Sequence, residues 1–316
     1  MMRRILAGLC LTALAAGPAS AQILDPNLPN YRPANDLKGH VSLIGSTTMT
    51  SVAGVWADSF TQLHPAVESE IHIRGSRGAV PAVMSGDATF GLLSRRINTA
   101  EVEQFEKQFG YKPKVITVCL ERLGIYTHKQ NPVRSLSIQQ VAQILSGQAK
   151  TWGDVGAEGQ YASQAIRVHG RRDETGSRVF LEGALLRGQQ HVMAVEHDSN
   201  QALLDGVAAD PLAIGYAGII YADDTVKALS ISRGEGSPAV AVDSLAAAQG
   251  QYPLVRPLQL VVNHKPGTEL DPAAADFIRY VLSRSGQEDV IRGGFQAIPA
   301  QPAQIALDQI GLRAVR

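Results

Sequence analysis

Three short turns rich in glycine and hydroxyl residues carry most of the groups in this chain that could do chemistry. They are Gly45-Ser46-Thr47-Thr48-Met49, Gly75-Ser76-Arg77-Gly78 and Arg171-Arg172-Asp173-Glu174-Thr175-Gly176-Ser177-Arg178. Each turn stands where a strand-like segment gives way to a helix-like one, so unpaired backbone N–H groups and hydroxyl donors converge at a positive helix end. Two of the turns also carry arginine. The pattern indicates a receptor for a small oxyanion.

The third turn has the strongest chemistry of its own. Arg171 and Arg172 directly precede a Thr-Gly-Ser helix start, and two cations beside a positive helix end are unfavourable unless an anion or a carboxylate offsets them. The guanidinium fork is the side chain that best matches phosphate-like oxygens. An internal ion pair between Arg171 and Asp173 stays open as the purely structural alternative.

Two alternative roles for these residues also stay open. Thr47-Thr48 and Ser76, taken alone, are equally compatible with ordinary helix N-caps. A catalytic role has little support, because the sequence contains no G-x-S-x-G elbow, P-loop, H-E-x-x-H motif or dinucleotide fingerprint. The histidines are scattered without metal-ligand spacing. We therefore predict a protein that is not an enzyme and holds no metal or cofactor.

The N-terminus predicts export. Residues 1–21 combine the basic Arg3 and Arg4 with an apolar run and a small-residue Ala19-Ser20-Ala21 cleavage signal, which is typical of a secretory signal peptide. The apolar run is too short for a comfortable membrane span. We expect the mature protein to be periplasmic.

The charge and the cysteine content limit which partners and which sources of stability are possible. The chain has 29 basic and 29 acidic residues, and loss of the leader with its two arginines leaves it slightly acidic. This balance argues against a general nucleic-acid or anionic-membrane binder. Removal of Cys10 with the leader leaves Cys119 alone, so no intrachain disulfide can form. The absence of an obvious dimerisation stripe favours a monomer.

Alternating strand-like and helix-like segments must position the turns. The predicted strands are residues 40–44, 70–74, 88–93, 114–120 paired with 123–128, 166–169, 213–221 and 255–262. Apolar residues spaced by three or four predict a helix after the first turn, and three further helix starts have capping signals, at Asn98, Ser137 and Asp271. The alternation predicts an α/β fold with helices on both faces of its sheets. Residues 22–38 form a proline-containing lead-in.

Taken in order, these segments resemble the bacterial periplasmic phosphate-binding proteins of ABC importers, the PstS type of the type II periplasmic binding protein superfamily. The first two turns are similar to that family's first hydroxyl turn and its Gly-Ser-x-Gly helix start, and the third is similar to R-x-D-G-S-G-T-R. Residues 86–95 resemble G-x-A-D-I-G-x-x-S-R. Further matches lie at residues 144–152, 214–221 and 252–258, so the resemblance covers about residues 39–297.

The resemblance implies a two-lobed fold in which each lobe is a mixed β-sheet flanked by helices, and hinge strands join the lobes. Lobe 1 would comprise residues 39–120 and 250–316, and lobe 2 would comprise residues 121–249. The implied function is to capture inorganic phosphate between the lobes and deliver it to a membrane ABC permease. A receptor for another oxyanion or a small phosphorylated metabolite, a signalling or surface protein, and a phosphate-ester hydrolase stay open as alternatives.

Carried over by position, the resemblance also implies ligand-binding roles. The implied residues are Thr47, Thr48, Ser76, Ser94, Arg95, Arg171, Thr175, Gly176 and Ser177. Asp173 would hold the Arg171 guanidinium in place. The chain departs from the family pattern at Glu174, which puts a carboxylate beside the pocket. It also departs at Arg95, where some members have an aspartate that accepts a hydrogen bond from protonated phosphate.

Overall fold

The computed structural model describes residues 24–172 and 175–312. The predicted signal peptide lies outside the described residues, as do Asp173 and Glu174. The strands are β1 (Gly39–Gly45), β2 (Val67–Ile73), β3 (Phe90–Leu93), β4 (Lys114–His128), β5 (Ser135–Ser137), β6 (Arg167–Arg171), β7 (Val195–His197), β8 (Ala213–Gly218), β9 (Val226–Ala228), β10 (Ser230–Ser232) and β11 (Val255–Val262). The α-helices are α1 (Thr50–Leu63), α2 (Ala79–Ser85), α3 (Thr99–Phe109), α4 (Ile138–Leu145), α5 (Gly176–Leu181), α6 (Asn200–Ala209), α7 (Leu245–Ala248), α8 (Pro272–Val281), α9 (Arg284–Arg292) and α10 (Ala300–Gln309). Within the described ranges, none of these helices has the length and apolar character needed to cross a membrane.

One mixed sheet organises the molecule. Its strand order is β2-β1-β3-β11-β4-β8-β6-β7, and β9 also pairs with β4. Strand β1 runs parallel to β2 and β3, and β6 runs parallel to β7 and β8. Strand β11 is antiparallel to β3 and β4. Because parallel strands end at the same edge of a sheet, the segments that follow β1, β2 and β3 lie close together.

Strand β4 corrects the prediction of two paired strands at 114–120 and 123–128. The structure has one 15-residue strand, Lys114–His128, which pairs first with β11 and then with β8. The polar residues Glu121 and Arg122 interrupt the apolar pattern of the sequence, but they are only 1% and 6% exposed. Glu121 pairs with Arg256 on β11, so the strand continues through the charged position instead of turning there.

Among the described residues, the two largest apolar cores lie along opposite halves of this continuous strand. The buried members of the first come from residues 28–119 and 258–312 and include Trp56, Phe90 and Phe277. The buried members of the second come from residues 123–254 and include Trp152 and Tyr216. The result is the predicted two-lobed α/β architecture, in which β4 and β11 run between the lobes. The residue boundaries of lobe 1 and lobe 2 stay a prediction.

The local helix signals are confirmed. Asn98 and Ser137 each form a reciprocal capping box at the start of α3 and α4. The Asp271 carboxylate accepts from two backbone N–H groups at the start of α8, with Pro272 in its first turn. These signals depend on contacts within a few residues, which is why the sequence alone reveals them.

Candidate functional site

The first turn is fixed by a glycine that closes β1. Gly45 has a φ of +146°, and a Cβ there would lie 2.4 Å from the Leu92 carbonyl oxygen, so a larger residue does not fit. The next N–H, of Ser46, donates to that same carbonyl at 3.0 Å. The Ser46 hydroxyl oxygen then accepts from the Thr48 N–H at 3.2 Å. This N-cap starts a short 3₁₀ turn before α1, with Thr48 buried and Thr47 exposed.

The second turn and the end of β3 bring two more hydroxyls to the first. The Arg74 N–H donates to the Gly45 carbonyl at 3.0 Å, which ties the second turn to the first. Ser94, directly after β3, donates its N–H to the Ser76 hydroxyl oxygen at 3.2 Å. The Ser46 hydroxyl donates to Ser94 Oγ at 2.8 Å, and Ser94 Oγ lies 3.1 Å from Ser76 Oγ. We call these three hydroxyls the serine chain.

Arg171, the last residue of β6, is buried and held by three acceptors. Its Nε donates to the His197 carbonyl at 3.2 Å, Nη1 to Asn200 Oδ1 at 2.7 Å, and Nη2 to the Asp198 carbonyl at 2.8 Å. A guanidinium has five N–H donors, so one donor on each Nη has no partner among the described residues. Burial lowers the pKa of Arg171, but an arginine remains charged at neutral pH. The predicted partner Asp173 lies outside the described residues.

A cavity of about 240 Å³ lies between these groups. Its lining residues are Ser46, Thr47, Thr48, Arg74, Gly75, Ser76, Arg77, Ser94, Arg171, Thr175, Gly176 and Ser177. The structure thus brings eight of the nine predicted site residues to one cavity, and their contact with a ligand stays a prediction. Ser46 and Arg77 belong to the first and second of the three turns that the sequence singled out. Arg74, directly before the second turn, was missed because it follows the exposed end of β2 and has no motif of its own.

Arg95 is the predicted site residue that does not line the cavity. Its guanidinium donates to both carboxylate oxygens of Glu101, at 2.8 and 2.6 Å, and also to the Arg96 carbonyl. Glu101 is the capping-box residue of α3. The charge of Arg95 is therefore neutralised inside lobe 1, and we exclude Arg95 from the proposed ligand contacts.

The charge of the cavity is positive. Arg74, Arg77 and Arg171 line it, and none of its described lining residues is a carboxylate. The described residues also contain no group of three or more histidine, cysteine, aspartate or glutamate side chains that could hold a metal ion. Hydroxyls and guanidinium groups are the donors that charge-assisted binding of an oxyanion needs.

Comparison with known proteins agrees with this geometry. A family model described as the PBP superfamily domain matches residues 30–285. The chain is 35% identical over 321 residues to the phosphate-binding protein PstS of Pseudomonas aeruginosa, covering 98% of this chain and 99% of that protein. The chain belongs to the PstS family. PstS of Staphylococcus aureus is 25% identical over 280 residues, covering 87% of this chain and 84% of that protein.

A solved structure has the same fold. It is described as a phosphate ABC transporter substrate-binding protein with bound phosphate, from Clostridium perfringens, and aligns with a TM-score of 0.67 at 25% identity. The alignment covers 82% of this chain and 99% of that structure. By their names, these relatives are binding proteins.

In this PstS-family protein the two sides of the cavity meet at Gly176. A Cβ on Gly176 would lie 2.0 Å from Ser94 Oγ and 2.9 Å from the Ser94 carbonyl oxygen. Ser94 follows a strand of the first core, whereas Gly176 begins α5 beside the second core. The backbone of α5 therefore packs directly on the serine chain, and only a glycine allows so close an approach.

Arg256 is a residue behind the cavity whose role the sequence did not reveal. Its Nη2 donates to Thr48 Oγ1 at 3.3 Å, and its guanidinium pairs with the Glu121 carboxylate at 2.5 Å. Both charged residues are 1% exposed. Burial raises the pKa of Glu121, and the positive charge of Arg256 opposes this shift. The sequence showed Arg256 only as part of the segment 252–258. Its partners Glu121 and Thr48 lie 135 and 208 positions away in the chain, so no local pattern reveals them.

Proposed function

We propose that this chain is an exported solute-binding protein that captures inorganic phosphate in the cavity and delivers it to a membrane ABC permease. The observation that carries the proposal is the donor set of the cavity, in which hydroxyl residues from both sides and Arg171 line one space. Two findings on relatives support it: the P. aeruginosa relative is named a phosphate-binding protein, and the C. perfringens structure contains phosphate.

Binding follows from the geometry of the donors. The two remaining Nη donors of Arg171 can bind two oxygens of one anion side by side, which is the strongest pairing available to a guanidinium. The hydroxyls of Thr48 and Ser76 face the same cavity from the other side. An anion between them joins the two sides, so it stabilises the closed arrangement in which α5 packs on Ser94.

We further propose that the protein acts in the periplasm as a monomer, without enzymatic activity, cofactor or nucleic-acid partner. The described lining residues include no histidine or carboxylate that could activate a hydroxyl or a water as a nucleophile. Ser76 and Ser94 have each other as side-chain partners, and Thr48 has Arg256. The hydroxyls are thus arranged for hydrogen bonding and not for attack.

Calorimetric titration of the mature protein with phosphate and with sulfate tests this function. We expect phosphate to bind with a micromolar or smaller Kd. Absence of phosphate binding at micromolar concentration would contradict the proposal. Release of phosphate from an ester by stoichiometric protein would instead favour a hydrolase. Loss of phosphate uptake on deletion of the gene supports transport, whereas unchanged uptake with altered gene expression favours signalling.

A small phosphorylated metabolite is the second candidate ligand. The cavity of about 240 Å³ has room for about eight waters at roughly 30 Å³ each, which is more than a five-atom oxyanion fills. Arg74 and Arg77 are exposed cations at the same cavity and could contact a larger ligand. Competition between phosphate and a phosphate monoester in the same titration separates the two ligands.

A further inference from the structure

A phosphate ligand poses a hydrogen-bonding problem for this cavity. Near neutral pH phosphate still carries at least one proton, and a buried O–H group needs an acceptor. Arginines only donate, and none of the described side chains that line the cavity is a carboxylate. Among the described side chains, the acceptors must therefore be hydroxyl oxygens.

Thr48 is poorly suited to this task. Its Oγ1 already accepts from Arg256 Nη2, and no side-chain or backbone acceptor for its own proton occurs among the described contacts. A Thr48 that accepted a ligand proton would leave its own O–H unsatisfied in a buried place. Thr48 is therefore a donor to the cavity, and Arg256 fixes this polarity.

The serine chain differs, because it can be hydrogen-bonded in two ways. In the first arrangement Ser94 O–H donates to Ser76 Oγ, which also accepts the Ser94 N–H. Both lone pairs of Ser76 are then used, and its proton points to the ligand. In the second arrangement Ser76 O–H donates to Ser94 Oγ, which also accepts from Ser46. Ser76 then keeps one free lone pair, and the Ser94 proton can point to the cavity.

The residues around the serine chain keep water from replacing its hydrogen bonds. Ser46, Ser76 and Ser94 are 2%, 4% and 1% exposed, and the backbone of Gly176 covers Ser94 Oγ. The three hydroxyls must therefore bond to one another or to the ligand. Reversing the bond between Ser94 and Ser76 changes Ser76 from donor to acceptor, and the ligand then accepts the Ser94 proton.

We propose that the serine chain is a polarity switch that lets Ser76 donate to an ionised ligand oxygen or accept a proton from a protonated one. The proposal rests on the proposed phosphate function and names a specificity-determining role for Ser46 and Ser94. The serine chain would supply the acceptor that the described lining residues lack as a carboxylate, and it would allow the site to bind phosphate in more than one protonation state.

Ser94→Ala tests the switch because it removes the hydroxyl that receives the Ser76 proton. Phosphate affinity of the wild type and the variant is measured at about pH 5 and about pH 9, on either side of the second ionisation of a phosphoryl group near pH 6 to 7. We expect the variant to lose about tenfold more affinity for phosphate than for sulfate at both pH values, the cost of one unsatisfied buried O–H. Phosphate keeps at least one proton at either pH, whereas sulfate carries none.

Thr48→Val is the matched control because it removes a hydroxyl of fixed donor polarity. Its loss of affinity should be similar for phosphate and for sulfate, unlike that of Ser94→Ala. Thermal unfolding of both variants confirms that they fold.

The outcomes separate the switch from the function on which it rests. If wild-type protein binds no phosphate, the proposed function is wrong and the switch with it. If phosphate binds and Ser94→Ala weakens phosphate and sulfate by the same factor, the switch is wrong and the function stands.

Discussion

The orientation of Arg171 is determined by acceptors that all follow β7 or end it. The carbonyls of His197 and Asp198 and the Asn200 side chain each take one guanidinium donor, and the Tyr216 hydroxyl accepts the Arg171 N–H at 3.1 Å. These bonds cost the side chain most of its rotamer freedom before a ligand arrives. A pre-organised cation loses little further entropy on binding, which favours high affinity.

Arg171→Ala is therefore the most damaging single change that we predict for binding. A buried anion would lose its main counter-charge, so phosphate affinity should fall by about 100-fold or more, corresponding to about 3 kcal/mol or more. Calorimetry with phosphate measures the loss. Arg172→Ala is the matched control, because the Arg172 side chain is 67% exposed and pairs with Asp198 at the surface. Comparable losses in the two variants would show that Arg171 has no special role in the site.

The approach of α5 to the end of β3 determines how far the cavity can close. Gly176→Ala would place a methyl group 2.0 Å from Ser94 Oγ and 2.9 Å from the Ser94 carbonyl. Because backbone is involved on both sides, the clash is relieved only by moving α5 away. We expect at least tenfold weaker phosphate binding and a larger radius of gyration with phosphate present, measured by small-angle scattering.

Gly183→Ala is the control for that substitution. Gly183 lies one turn beyond α5, and a Cβ there would meet no atom within 4 Å. This variant should bind phosphate as the wild type does. Wild-type affinity in Gly176→Ala would contradict the close approach as a requirement for binding.

At the scale of elements, the sequence predicts what depends on near neighbours and misses what depends on distant ones. The capping boxes at Asn98 and Ser137 involve residues three positions apart and were predicted correctly. The continuity of β4 through Glu121 was not predicted, because it depends on the distant residue Arg256. The resemblance implied that Arg95 is a site residue, but in the fold its guanidinium pairs with the Glu101 carboxylate. The first two turns come together because the parallel strands β1, β2 and β3 end at one edge. The third turn follows β6, which runs in the opposite direction in the sheet, so only the resemblance to the family predicted that it joins the same cavity.

The stability of the whole molecule should depend on a histidine pair that lies behind the site. His169 Nδ1 on β6 and His197 Nε2 on β7 are 3.1 Å apart, and the rings are stacked. One nitrogen must donate and the other accept, so the pair is compatible with neutral rings and not with two charged ones. A Cβ on Gly206 of α6 would lie 2.7 Å from the His197 ring and 2.8 Å from the His169 ring, so the helix packs closely on both.

The charged groups around the histidine pair shift its pKa values in opposite directions. Burial lowers the pKa of His169, as does His197, while Asp210 opposes the shift and Arg167 adds to it.

Burial likewise lowers the pKa of His197. Arg171 adds to that shift, while Asp198 and Asp205 oppose it. For each histidine the burial effect is the largest, so both rings stay neutral in the folded protein at pH values where a free histidine is protonated.

The pair should therefore make folding stability fall in mild acid. Below about pH 6.5, the ordinary histidine pKa, the unfolded chain binds protons that the folded protein does not. The free energy of unfolding therefore decreases until the pH passes the lowered folded pKa values.

Urea unfolding of the wild type and His197→Gln between about pH 5 and pH 8 measures this contribution. We expect a smaller decrease in the variant, whereas His72→Gln, whose side chain is 51% exposed in the wild type, should follow the wild type. Parallel pH curves for wild type and His197→Gln would contradict the role of the pair.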